Sequence, residues 1–357
     1  MQCENLRQLQ TKIPTRCAAL IRGATNRRYL LCFASSGGML FVTRQAAVFL
    51  TDSRYIEAAR AQVLTCPVEE LKNGREQLRA LCKQHHIKTL LPEPETTTLA
   101  QAAELRRWLP PTVRLAAKND LIDRTLRAQR MHKSPPEVAA ITRAQRIAEA
   151  ALAQVLPQIR VGATERGIAL ALDIAMLQGG AEALAFETIV AAGPNGSRPH
   201  AVPGDYALRS GDFVTMDFGA VVDGCHSDMT RTVAVGAPTA EQRAIYQTVL
   251  AAQRAALEAL KPGVACKAAD AAAREVIAAA GYGDCFRHGT GHGVGFNIHE
   301  APSLSSKSDE TLRPGMVVTV EPGIYLPGKC GVRIEDMAVI TADGHKNLTM
   351  ASKELIL

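Results

Sequence analysis

The sequence predicts a mixed α/β (α+β) protein of two domains, the second built from two copies of one α-α-β unit. Three observations carry this. Residues 1 to about 125 alternate short apolar runs with helix-length polar segments, the texture of a sheet-and-helix domain. Beyond about residue 127 the chain turns Ala-rich, and glycine-ended helix pairs recur there: Gly162 and Gly263 lie 101 residues apart, as do Gly180 and Gly281. A hairpin with two carboxylates follows each pair, Asp217 and Asp228 in the first copy, Glu321 and Glu335 in the second. A chain of 357 residues exceeds the usual single domain, so two domains, 1–126 and 127–357, are expected.

In the first domain, Ala46–Leu50 and Lys88–Leu91 read as strands, and Glu69–His85 and Thr96–Leu109 as helices. It holds no phosphate loop and no ligand cluster. The adjacent His85 and His86 diverge on a helix and mark its solvated end. At the boundary Ser134 precedes Pro135 and Pro136, an N-cap before first-turn prolines, which predicts a helix running to about Leu156.

The hairpins carry the chemistry. Phe213–Met216 leads into Asp217, Asp228 leads into Met229–Val233, and Asp223-Gly224 between them is a strong hairpin turn signal. The two aspartates then face each other directly or diagonally, with Cβ atoms roughly 5–8 Å apart. Like charges repel there and Asp is a poor strand former, so a positive ion between them is implied; taken alone, this hairpin also allows one Asp in the turn and the other in solvent. In the second copy Val317–Val320 leads into Glu321, Leu326–Lys329 supplies a turn, and the chain returns to Glu335. The midpoint of these two glutamates is the turn residue Gly328, so they also oppose each other. Between the hairpins, His288 to Gly295 holds two histidines and four glycines, which let backbone approach closely and leave an imidazole accessible. Its G-x-G spacing is not a nucleotide loop, because no strand leads into it and no suitable helix follows. His299 and His200 complete a group of four histidines.

Composition removes other classes. The net charge of +6 comes without a basic run interleaved with aromatics, so no nucleic-acid partner is expected. No apolar run approaches 18 residues and no apolar N-terminal leader is visible, so no membrane partner is expected. Nine cysteines, an odd number without a C-x-x-C pair, suit a reduced, cytoplasmic protein. Two Asp, two Glu and one His with no thiolate favour a hard cation, Mn²⁺ first, with Co²⁺ or Fe²⁺ as alternatives, over a closed thiolate zinc site. Four carboxylates suit two divalent ions about 3.5–4 Å apart, equipment that acidifies a water and polarises an amide carbonyl. Histidines nearby can hold the carbonyl oxygen and move protons.

Asp217 in MDFG, Asp228, His292 in GTGHGVG, Glu321 in VEPGIY and Glu335 in GVRIED resemble, in order and spacing, the five metal ligands of the M24 metallopeptidases, in particular the aminopeptidase P and prolidase branch. The likeness spans essentially the whole chain. It implies a creatinase-like N-terminal α/β domain followed by a pseudo-symmetric pita-bread catalytic domain. By that resemblance Asp217 would bind one metal ion, His292 and Glu321 the other, and Asp228 and Glu335 would bridge; Zn²⁺ joins Co²⁺ and Fe²⁺ as an alternative to Mn²⁺. His200 and His299 match the family's substrate-binding and proton-shuttling histidines, His288 and Arg333 its supporting positions. The implied activity is release of the N-terminal residue from Xaa-Pro peptides by an Xaa-Pro aminopeptidase, with prolidase action on Xaa-Pro dipeptides as the alternative. A metal-free peptide-binding pseudoenzyme and a creatinase-type amidinohydrolase are the competing classes, and both tend to lose the acids that are complete here. The likeness also implies a homodimer or larger assembly.

Overall fold

The computed structural model describes residues 2–355. The chain divides into two compact units, Met1–Arg130 and Met131–Leu357. Residue 127 lies within the Leu121–Met131 helix.

The first unit is built on one six-stranded sheet, in the order Val68–Glu70, Ala47–Thr51, Met39–Thr43, Cys17–Ile21, Thr89–Leu91, Arg114–Leu115. Its inner pairs are antiparallel and its flanking pairs parallel. Every residue of Met39–Thr43 and Ala47–Thr51 is buried, which is why both runs are apolar up to a final threonine and do not alternate. The helix expected over 69–85 is shorter. Val68–Glu70 is an edge strand parallel to Phe49–Thr51, and the helix begins only at Gly74, after Asn73, whose side chain accepts from the Glu76 N–H. His85 closes that helix and His86 turns the chain at φ 52.

In the second unit the helices Pro135–Val155 and Glu165–Gln178 recur as Ala240–Ala259 and Cys266–Ala279. The first starts where the prolines put it, and Glu137 Oε2 reaches back to the Ser134 N–H at 2.7 Å. Gly162 and Gly263 have φ of 89 and 86, and Gly180 and Gly281 have 95 and 86. All four are left-handed turns that other residues adopt reluctantly, so the repeated glycine spacing records a repeated backbone. The strands repeat as well. Phe213–Phe218 lies between Ile189–Ala192 and Met229–Ala234; correspondingly, Val317–Val320 lies between Gly291–Gly293 and Asp336–Ile340, in a sheet extended by Glu300–Leu304 and His345–Asn347. Each helix pair packs on its own sheet, with Leu152, Leu172, Met176 and Val214 in one core and Val249, Ile277, Val318 and Val320 in the other.

Buried polar groups join the halves. Arg231 is only 2% exposed and donates to Asp336 Oδ1 at 2.8 Å, to the carbonyls of Glu335 at 2.6 Å and Thr230 at 2.9 Å, and to those of Ala351 and Ser352. Beside it, Thr232 Oγ1 donates to the Arg333 carbonyl at 2.9 Å. The eight cysteines from Cys17 to Cys330 are free thiols; Cys3 lies outside the described side chains. Among the described residues no helix is long and apolar enough to cross a membrane.

Candidate metal centre

The first hairpin pairs Thr230 with Asp217 and Met229 with Phe218, so Asp228 is the diagonal neighbour of Asp217 on the same face. Gly219 makes this closure possible: a Cβ there would stand 2.0 Å from the Ser227 carbonyl oxygen. The hairpin continues to Asp223 and Gly224, whose φ values of 51 and 77 suit the tight turn that their sequence signals. In the second hairpin, Val320 pairs with Asp336 and Gly323 with Arg333 in one register. That register sets Glu321 opposite Glu335, at the break between two short ladders.

The close backbone approach expected of the glycine-rich segment is that of neighbouring strands. His292 sits on the short Gly291–Gly293 strand, pairing with Ser303. A Cβ on Gly291 would lie 2.0 Å from the Thr319 oxygen, and one on Gly293 2.3 Å from the Ala301 oxygen. These glycines admit neighbouring strands; they do not open room for a ligand.

All nine residues singled out from the sequence line one cleft of about 620 Å³. At its floor, ligand atoms of Asp228, His292 and Glu335 all lie within 4.8 Å of one another. His292 Nε2 is 3.5 Å from Asp228 Oδ2 and 3.4 Å from Glu321 Oε1. Its Nδ1 faces the Gly293 carbonyl at 3.0 Å; a carbonyl only accepts, so Nδ1 carries the hydrogen and the neutral ring turns its Nε2 lone pair toward the carboxylates. Asp217 Oδ2 takes Arg333 Nη2 at 2.7 Å and Glu335 Oε2 takes Thr230 Oγ1 at 2.8 Å, while Asp217 Oδ1 and Glu335 Oε1 are buried without a hydrogen-bond partner.

The electrostatics follow from that crowding. Burial, reinforced by Asp217 and Glu321, pushes Asp228 well above the ordinary carboxylate range, and burial with Asp228 does the same to Glu335. Burial also pushes Glu321 up to about 8 and holds His292 down at about 4. Lone pairs therefore meet lone pairs with two buried oxygens unspent. Divalent cations fit this donor set, since they are acceptor-seeking and favour every one of these groups in its unprotonated form.

The supporting residues take distinct places. Arg333 is 3% exposed and holds Asp217 directly. His288 is one link further away: its Nδ1 donates to the Gly289 carbonyl at 2.8 Å, so its Nε2 accepts from the Tyr325 hydroxyl at 2.9 Å, and that oxygen accepts in turn from Arg333 Nη1 at 2.9 Å. Burial holds His288 down at about 4, so it is neutral in this chain of donors. Tyr325 and Thr230 were not singled out in the sequence. Both had a signal: Tyr325 closes the VEPGIY motif, and Thr230 lies two residues from Asp228, on the same strand face. His200 and His299 are exposed at the cleft, and the His299 ring meets the His292 ring edge-on at 4.4 Å between centroids.

The profile of metallopeptidase family M24 matches residues 139–342, and that of the creatinase/prolidase N-terminal domain matches residues 17–132. An uncharacterized peptidase of Bacillus subtilis, YqhT, is 40% identical over all of both chains. An Xaa-Pro dipeptidase of Pyrococcus horikoshii is 38% identical over 90% of this chain and 89% of its own. Among solved structures, an Xaa-Pro dipeptidase from Bacillus anthracis superposes with a TM-score of 0.94 at 35% identity over the full length of both. An X-Pro aminopeptidase from Thermotoga maritima superposes at 0.88 and 34% identity, over 95% of this chain and 97% of that one.

Proposed function

The chain belongs to metallopeptidase family M24, and on that premise we propose that it is a prolidase, hydrolysing the Xaa-Pro bond of dipeptides with two divalent metal ions. The observation that carries this reading is the gathering of Asp228, Glu321 and Glu335 around the imidazole of His292, with Asp217 lining the same cleft. In it Asp217, Asp228, His292, Glu321 and Glu335 would hold the ions, Asp228 and Glu335 contributing to both, with Mn²⁺ favoured and Co²⁺, Fe²⁺ or Zn²⁺ as alternatives. When bound, the ions would acidify a water and polarise the scissile carbonyl. Arg333 and Thr230 hold one oxygen each of Asp217 and Glu335, which fixes how the other oxygen is presented. His200 and His299, exposed on the cleft wall, steady the carbonyl oxygen and pass a proton to the departing proline nitrogen. Phe186, Ile189, Val202 and Ile298 give that wall an apolar surface for the pyrrolidine ring. Such a bond needs a dedicated enzyme, because the tertiary amide has no N–H and a fixed φ.

Dipeptides replace the longer peptides toward which the sequence leaned, since several relatives of high identity carry the name Xaa-Pro dipeptidase. Aminopeptidase action on Xaa-Pro-Yaa remains the second reading, favoured by the Thermotoga likeness. Turnover of Xaa-Pro, Xaa-Pro-Yaa and Xaa-Ala-Yaa by manganese-loaded protein separates them. We expect the dipeptide to lead by at least about tenfold in kcat/KM. Equal tripeptide turnover would make the protein an aminopeptidase, equal cleavage of the alanine series would remove the proline reading, and no turnover at all would leave a binding protein.

His200→Ala and His299→Ala are each expected to keep the metal and lose about 10²–10⁴-fold in kcat. Metal loss in either variant would move that imidazole into the ligand set. The homodimer or larger assembly implied by the family likeness stays a proposal that sedimentation velocity decides.

A further inference from the structure

His200 stands on a segment with little regular structure of its own. After the single 3-10 turn Gly193–Ser197, residues 198 to 204 cross the cleft wall with His200 exposed and Val202 82% exposed. At its tip Ala201 is buried and the Pro199 carbonyl accepts from Arg333 Nη1 at 3.4 Å. The two ends of the segment, however, meet at one side chain, Glu165, which is 1% exposed at the start of the Glu165–Gln178 helix. Its Oε1 accepts from the Ala192 N–H at 2.7 Å and from Asn195 Nδ2 at 3.0 Å, and its Oε2 accepts from the Gly204 N–H at 3.1 Å. The helix returns the contact, for the N–H groups of Arg166 and Glu165 donate to the carbonyls of Gly204 at 3.0 Å and Tyr206 at 3.3 Å. One carboxylate thus closes a compact surface loop at its neck, leaving its tip against the cleft.

We infer that Glu165 is a positioning residue for His200: by clasping residues 192, 195 and 204 it sets the loop that presents this imidazole to the substrate. The chemistry asks for a carboxylate. Two acceptor oxygens satisfy three N–H donors at once, whereas an amide offers one acceptor and turns an NH₂ toward a donor. The inference rests on the hydrolytic role proposed for His200, so the test has an arm that does not need turnover.

The experiment compares the full-length wild-type protein, Glu165→Gln, His200→Ala and the double variant, each loaded with Mn²⁺, by hydrogen exchange and by Xaa-Pro kinetics. In Glu165→Gln, exchange across residues 192–204 is expected to quicken at least about tenfold while metal content and protection elsewhere hold, because a charge-assisted bond is lost. kcat is expected to fall by about 10²-fold with KM little changed, the penalty of an imidazole displaced by about 1 Å. In the His200→Ala background the same substitution is expected to cause no further loss, which a general weakening of the fold would not reproduce. Unchanged exchange over 192–204, or a loss that multiplies in full onto His200→Ala, overturns the inference. A wild-type protein inert toward proline peptides would instead overturn the functional reading, and exchange would still decide whether Glu165 holds the loop.

Discussion

Replacing Glu335 by glutamine is expected to act in opposite directions on the two forms of the protein. With metal, it removes the carboxylate proposed to serve both ions, so bound metal and turnover should fall by more than the roughly 10–100-fold typical of changes behind the ligands. Without metal, it removes one of four crowded acids, so the variant should melt above the metal-free parent, at about 2–4 °C for each kcal/mol of repulsion relieved. The same crowding sets a pH dependence. Glu321 keeps its proton up to about pH 8 in the folded, metal-free protein, against 4.5 for the free side chain. Asp228 and Glu335 are displaced in the same direction. Below 6.5 the depressed His288 and His292 work the other way, but above it these carboxyls leave the folded state with more protons than the unfolded one, so the stability of the metal-free protein is lost as pH rises from 6.5 to about 8. Saturating Mn²⁺ should cancel or invert that slope. Melting curves with and without metal between pH 6.5 and 8 check all of this; a metal-free midpoint that climbs with pH, or a Glu335→Gln protein with full metal and normal turnover, would sink the two-ion site.

Arg231→Met is expected to be the most damaging change to the fold itself. The substitution keeps much of the stem but strips five hydrogen bonds from a side chain 2% exposed. Against the desolvation that would raise it, Arg231 and Lys353 hold Asp336 below its usual range, so the variant leaves a fully buried carboxylate short of a partner. Breaking such a pair typically costs about 3–5 kcal/mol, a fall of about 6–20 °C in the melting midpoint of a unit this size. Metal affinity should drop with it, because Arg231 also holds the carbonyl of Glu335. Chemical denaturation measures the first effect and metal titration the second. A loss below about 1 kcal/mol would mean that the halves are held elsewhere.

The parts of this molecule that were legible in its sequence are those governed by local rules. The opposition of Glu321 and Glu335 followed from counting to a turn glycine, and the diagonal of Asp217 and Asp228 from a two-residue turn, because register in a hairpin is fixed by its turn. The duplication showed in glycines at fixed spacing because left-handed turns admit little else. What stayed hidden depends on distant partners. The segment 69–73 reads as helix until the strand Phe49–Thr51 lies beside it. The glycines around His292 announce a close backbone approach but not its partners, Thr319 and Ala301, which occupy the space a Cβ would take. Arg231 and Glu165 look like ordinary surface charges, since nothing nearby in sequence announces Asp336 in one case or the Ala192 and Gly204 amides in the other.

The contacts that join the two halves also set when the centre comes into being. Thr230 meets Glu335 and Arg231 meets Asp336 across 105 residues, and Asp217 meets Arg333 across 116. Each demands that a very long loop be closed before it returns any stabilisation, which makes such contacts slow and late relative to helices and hairpins. On the ribosome the first half, with both aspartates, is made more than a hundred residues before its counterpart. An emerging chain therefore holds two acids that repel each other, and no site, until Glu321 and Glu335 have been added. Metal uptake should accordingly report synthesis and folding of the second half, and chains ended before Glu335 should lack hydrolytic capacity.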